Sequence, residues 1–188
     1  MKAASLSITK VEFIHIKVEA NSDFEGEHSS EFHQLDYSFS GVVFKRRMSL
    51  QYDKTKSEDP RSFIFGLSIM LNDEDQDSEK SDGLKLPYKI DIKAVAYMRL
   101  ESDRLQGYDR FRGIRVTGYS ILYGAIREMV SNLTARGPNG MWSLPAADFL
   151  AAAEEEARRD EEKRQEYLAQ PKTPDRKKPV KRLKKKPE

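Results

Sequence analysis

Hydrophobic and polar positions alternate with a period of two through most of the first hundred residues, then recur at helical spacing. Strands followed by helices are predicted. The first extended stretch runs from Ser7 to Ala20, with Ile8, Val11, Phe13, Ile14, Ile16 and Val18 as its apolar positions. Its alternation is imperfect, which reads as a strand partly covered on both faces. Asn21 to Ser30 is polar and contains a glycine, the composition of a loop. A second extended region spans Phe32 to about Tyr52. Val42, Phe44, Met48, Leu50 and Tyr52 share one parity, Arg46 interrupts them, and Gly41 marks a bulge or bend.

The third strand is SFIFGLSIML, in which Phe63, Phe65, Leu67, Ile69 and Leu71 share one face. Asn72 to Gly83 follows with six acids (Asp73, Glu74, Asp75, Asp77, Glu79, Asp82), a hairpin connection held open by like charge. A long antiparallel strand is predicted from Leu84 to Leu100, where apolar residues alternate with Lys85, Lys89, Asp91, Lys93 and Arg99. Glu101 to Arg115 reads as a charged loop. Beyond it, Ile121, Leu122, Ala125, Ile126, Met129, Val130 and Leu133 form a helical stripe, stopped at Ala135-Arg136-Gly137-Pro138. A loop from Pro138 to Ala146 leads to a second helix from about Ala147 to Ala169, polar enough that only its first turns are expected to pack. The order is that of an α+β fold: a four-stranded antiparallel sheet followed by two helices.

Composition changes this picture at one end. Of 188 residues, 34% are charged and 38% hydrophobic. From Pro171 to Glu188, nine Lys or Arg face only Asp175 and Glu188, a net +7 in a chain whose total is +2, so the first 170 residues carry −5. With four prolines and two aliphatic residues, this segment cannot offset its ordering entropy. The division is a folded domain over 1–170 and a disordered basic tail over 171–188. The tail suits nonspecific contact with nucleic acid, ribosome or anionic lipid, but has no aromatic residue for base stacking. No apolar run reaches the ~20 residues of a membrane span, and the N-terminus has no secretory pattern. A cytoplasmic protein is expected. The absence of cysteine excludes disulfides and thiol chemistry.

Catalytic constellations are scarce. His28 and His33 stand in a Glu-rich stretch that reads as solvated loop, and His15 as a strand residue without a basic role in catalysis. The acids of 72–83 lack the calcium-loop register. No phosphate-cradling loop or nucleophile elbow is present. The expectation is a protein that is not an enzyme and uses no metal or cofactor. The helix-connecting loop is more informative, with Met141, the chain's only tryptophan Trp142, and Leu144 set among Pro138, Gly140 and Pro145. Two readings stand: a loop folded over its own core, or an apolar surface that grips another chain.

The stretch SILYGAIREMVSNLTARGPNGMWSLPAADF resembles the helix–loop–helix signature of SecB, the bacterial export chaperone family. Leu122-Tyr123, Ile126-Arg127-Glu128, Leu133, Arg136-Gly137 and Leu144-Pro145-Ala146-Ala147-Asp148-Phe149 match it in order and spacing, and Ile8 through Asn21 is similar to its first strand. The chain departs from the family in lacking Cys-Pro before the helix, in having Gly124 where proline is usual, and in its basic tail. The resemblance implies a homotetramer, a dimer of dimers with first helices packed between them, here through Ile121, Leu122, Ala125, Ile126 and Met129. It implies ATP-independent holding of unfolded precursor proteins in grooves between sheet and connecting loop, here Met141, Trp142, Leu144, Phe149, Met48 and Leu50. Trp142 should then be partly wet. Delivery to the SecA motor would use acidic residues on the sheet's outer face, here Glu19 and Asp91, with His15 at a position usually held by Asp. The alternatives are a SecB-like chaperone dedicated to one client such as an antitoxin, and a scaffold protein binding a folded partner.

Overall fold

The computed structural model describes residues 5–22, 24, 44–71 and 86–170. Four strands, β1 (Leu6–Ala20), β2 (Lys45–Tyr52), β3 (Ser62–Leu71) and β4 (Tyr88–Leu100), form one antiparallel sheet in the order β1-β4-β3-β2. Two helices follow, α1 (Gly107–Thr134) and α2 (Leu150–Ala169). The fold class expected from the sequence is therefore the one observed. The expectations for His28, His33, the start of the second extended region, the acidic connection and the basic tail lie outside the described residues.

The sheet has one face under the helices. Phe63, Phe65, Leu67, Ile69 and Leu71 of β3 pair with Met98, Ala96, Ala94, Ile92 and Ile90 of β4 on that face, and all are buried. The broken alternation of β1 has a different cause from the one expected. Register shifts between Ile8 and Lys10 and between Phe13 and His15 insert an extra residue twice. Each bulge resets the parity, so Ile8, Val11, Phe13, Ile16 and Val18 all meet inward-facing residues of β4. On the outer face of this strand His15 and Lys17 are exposed.

Helix α1 crosses the inner face and begins eight residues before Arg115, within the stretch expected to be a charged loop. Phe111 and Ile114 are buried in the core, while Arg110 and Arg115 are buried through ion pairs. Those arginines disguised the first turns as loop. Gly118 permits the close approach, since a Cβ there would lie 2.5 Å from Cδ1 of Phe65. Helix α1 ends as expected, with the Ala135 N–H donating to Ser131 O at 3.0 Å and the Gly137 N–H to Thr134 O at 2.8 Å.

Helix α2 corrects two expectations. It starts at Leu150, where the Asp148 carboxylate accepts the Leu150 N–H at 2.8 Å, rather than at Ala147. It also packs well beyond its first turns, because its contacts are ionic. Arg115 reaches Glu156 and Asp160, each at 2.7 Å, and the Tyr119 hydroxyl donates to Glu156 at 2.7 Å. Two turns later, Arg164 donates to Ser57 O at 2.9 Å and is buried. A polarity pattern records composition, whereas burial of paired charges depends on partners from elsewhere in the chain.

Candidate client-binding surface

The inward row of β2 is Arg46, Met48, Leu50 and Tyr52, set by their pairing with Ile69, Leu67, Phe65 and Phe63. Arg46 ends the row. Its guanidinium lies 5.1 Å from the Tyr119 ring and 5.7 Å from the Phe149 ring, and it bonds Glu156 at 3.3 Å. At the other end Tyr52 packs against Phe63 and Phe111, each at 5.8 Å. Met48 and Leu50 thus lie on an edge strand between two points at which neighbouring elements are fixed. Met48 is exposed and Leu50 half-buried.

Phe149 continues this surface. It stacks on Tyr119 with centroids 4.7 Å apart and meets Tyr123 edge-on at 5.1 Å, yet remains half-buried, and Leu150 beside it is exposed. The Tyr123 hydroxyl donates to Pro145 O at 2.7 Å, holding the approach to α2 in place, and burial pushes its pKa up to about 12. Burial also raises the Tyr119 hydroxyl strongly, helped by its bond to Glu156. Both phenols therefore stay protonated as donors.

The connecting loop behaves differently from the expectation. Trp142 is 1% exposed, as is Leu144, so neither presents a wet surface. The Trp142 backbone N–H donates to Thr134 Oγ1 at 2.8 Å, and that hydroxyl returns a bond to the Trp142 carbonyl at 3.0 Å. The indole lies 6.4 Å from the Tyr88 ring, whose hydroxyl donates to Gly140 O at 2.8 Å. Asn139 donates to Pro87 O at 2.6 Å. The loop is thereby folded over its own core, the first of the two sequence readings, and of Met141, Trp142 and Leu144 it leaves Met141 exposed.

The expected assembly stripe divides in two. Leu122 and Ile126 are fully buried against the sheet, so they are core residues and not a surface for another subunit. Ile121 and Leu133 are exposed, with Ala125 and Met129 half-buried between them at spacings of four. Ile16 of β1, inward-facing by register, is also exposed. Sequence reasoning could not select Ile16, because its face depends on the bulges. Arg46 was readable only as an interruption, although its parity with Met48 and Leu50 was the available signal.

On the outer face, Glu19 and Asp91 are close to basic neighbours. Glu19 pairs with Lys17 at 3.0 Å and lies opposite Lys89, while Asp91 lies opposite Lys17 and 3.6 Å from His15 Nε2. Lys17, Glu19, Lys89 and Asp91 line one shallow depression with Met70. The two acids expected at the handover site are thus brought together, but on ground that is not acidic.

No family model matches this sequence, and no curated protein matches it. Among solved structures, the chain is similar to a SecB-like chaperone of Mycobacterium tuberculosis, solved in complex with a ChAD peptide from the HigA1 antitoxin. That likeness has a TM-score of 0.44 and 16% identity, covering 76% of this chain and 91% of that one. It is also similar to a protein of unknown function from Streptococcus agalactiae, with a TM-score of 0.40 and 9% identity over 77% of this chain and 100% of that one.

Proposed function

We propose that this protein is a SecB-like, ATP-independent chaperone that holds unfolded polypeptides on apolar surface beside the edge strand β2. One observation carries the reading: the described residues already pack a core, yet large apolar side chains remain exposed or only half-buried on the helix side of the sheet. At one flank these are Met48, Leu50, Phe149 and Leu150, and at the other Ile16, Ile121 and Leu133. The sequence resemblance to SecB supports assigning the first set to clients and the second to self-assembly as a homotetramer. Holding needs no catalysis and no cofactor. Burial of apolar surface contributes about 25 cal/mol per Å², and linking many weak sites along one client makes each later contact intramolecular, at high effective concentration.

A second reading, a chaperone dedicated to one client, is favoured by the surroundings of Glu19 and Asp91. Lysines beside both acids weaken attraction for a basic segment of SecA, and with it general service to cytoplasmic export. The deciding experiment follows light scattering of a chemically denatured protein diluted without nucleotide. Stoichiometric chaperone should suppress aggregation, and Met48→Glu with Leu50→Glu should remove most of that effect. Unchanged aggregation with the unmutated protein would sink the chaperone reading.

A further inference from the structure

The outer face of the sheet carries charge that neither client holding nor delivery to a basic partner uses. Strand register places His15 of β1, Lys93 of β4, Ser68 of β3 and Arg47 of β2 in one row across all four strands. At about 4.8 Å between strands this row is about 14 Å long. The next row contains Lys17, Asp91, Met70 and Lys45, and Lys89 lies beyond it opposite Glu19.

The acids at this end of the face are engaged by their own chain. Glu19 bonds Lys17, and Asp91 is next to His15. Arg47 and Lys93 are exposed and form no ion pair among the described residues. The surplus is positive, and it stands on four paired strands, a rigid base that fixes the spacing of the charges.

We propose that this row is a docking surface for an acidic polypeptide segment supplied by a partner protein, bound through Arg47 and Lys93. Guanidinium and ammonium groups on separate strands suit carboxylates that are spaced apart. A nucleic acid suits the face less well. A nucleic acid carries a charge at every nucleotide along its backbone, and Asp91 and Glu19 interrupt the basic row it would follow. Tyr97, the aromatic on this face, is occupied as well. It shares a hydrogen bond with Glu12, and Lys10 lies 6.0 Å over its ring. No stacking platform is left for bases. This proposal concerns the face opposite the client surface, so it stands or falls separately from the chaperone reading.

The test is fluorescence anisotropy of the full chain with a labelled ten-residue peptide of alternating glutamate and serine. Binding should weaken at least tenfold in the variant Arg47→Glu with Lys93→Glu, and should weaken steeply as salt rises from 0.05 to 0.5 M. The same variant should suppress aggregation as well as the parent, and its unchanged thermal midpoint would show that it folds. Three results would overturn the proposal. Unchanged binding in the double variant would place the peptide on the basic tail. Tighter binding of oligothymidylate than of peptide, lost in the same variant, would make nucleic acid the ligand. Strong peptide binding only after Asp73, Glu74, Asp75, Asp77, Glu79 and Asp82 are replaced by Asn or Gln would identify the chain's own acidic segment as the occupant.

Discussion

Trp142 shows how one residue's role follows from what its neighbours provide. The loop around it is short and rich in Gly and Pro, but Thr134 of α1 holds its backbone, Tyr88 of β4 lies beside the indole, and the side chain is buried. Its fluorescence should therefore be blue-shifted in the free protein, shielded from a soluble quencher, and unaltered by added unfolded client. Trp142→Ala should cost about 3–5 kcal/mol of stability in chemical denaturation, as expected for a large buried aromatic. Emission that shifts to the blue on client addition would contradict this.

Neighbouring carboxylates of α2 should respond to pH with opposite signs. Burial lifts Asp160 above its ordinary value of 3.8, although Arg115 opposes the shift. Its raised pKa favours the folded state most at low pH, and that contribution fades as pH rises above 3.8 through the folded value. Bonds from Arg164 lower Glu161 below 4.5, so its contribution is present above 4.5 and lost on acidification. In thermal unfolding between pH 3 and 7, Asp160→Asn should remove a loss of stability on the alkaline side. Glu161→Gln should remove one on the acid side. Equal slopes for both variants and the parent would refute the assignment.

At the scale of elements, α2 depends on ionic pairing more than on apolar area. Only Ala153 and Ala157 among its apolar residues are buried, whereas Glu156 and Arg164 are buried polar partners. Glu156→Ala leaves the buried Arg115 guanidinium short of a partner and removes the acceptor for Tyr119 and Arg46. We expect a loss of about 3–5 kcal/mol. Arg112→Ala breaks a pair with Glu154 at the more exposed rim and should cost less than about 1 kcal/mol. Similar losses in the two variants, measured by urea denaturation, would show that α2 is not held this way.

For the whole molecule, the row Ile121–Ala125–Met129–Leu133, exposed at its ends and half-buried between, and the exposed, inward-facing Ile16 set the prediction. If this flank joins subunits, the protein should scatter light as a tetramer at micromolar concentration. Ile121→Glu with Leu133→Glu should reduce it to smaller species while leaving far-ultraviolet circular dichroism intact. A parent protein that is monomeric at that concentration would end the assembly reading.

Period-two runs such as Phe63–Leu71 and Ile90–Leu100, the α1 stripe after Ile121 and the stop at Gly137-Pro138 were legible in the chain itself. Each is a local pattern, fixed by side-chain direction and backbone preference within a few residues. The sequence also determined the α+β order. Tertiary structure decided the rest. It alone settled which face Ile16 and His15 occupy, because two bulges in β1 reset the alternation. It turned Glu101–Arg115 partly into helix and packed the polar length of α2, because Arg110, Arg115 and Arg164 find distant partners. It also closed the Trp142 loop and set Glu19 and Asp91 among lysines. All of these depend on groups far apart in the chain, and contact between such groups is a property of the folded arrangement, which local patterns do not encode.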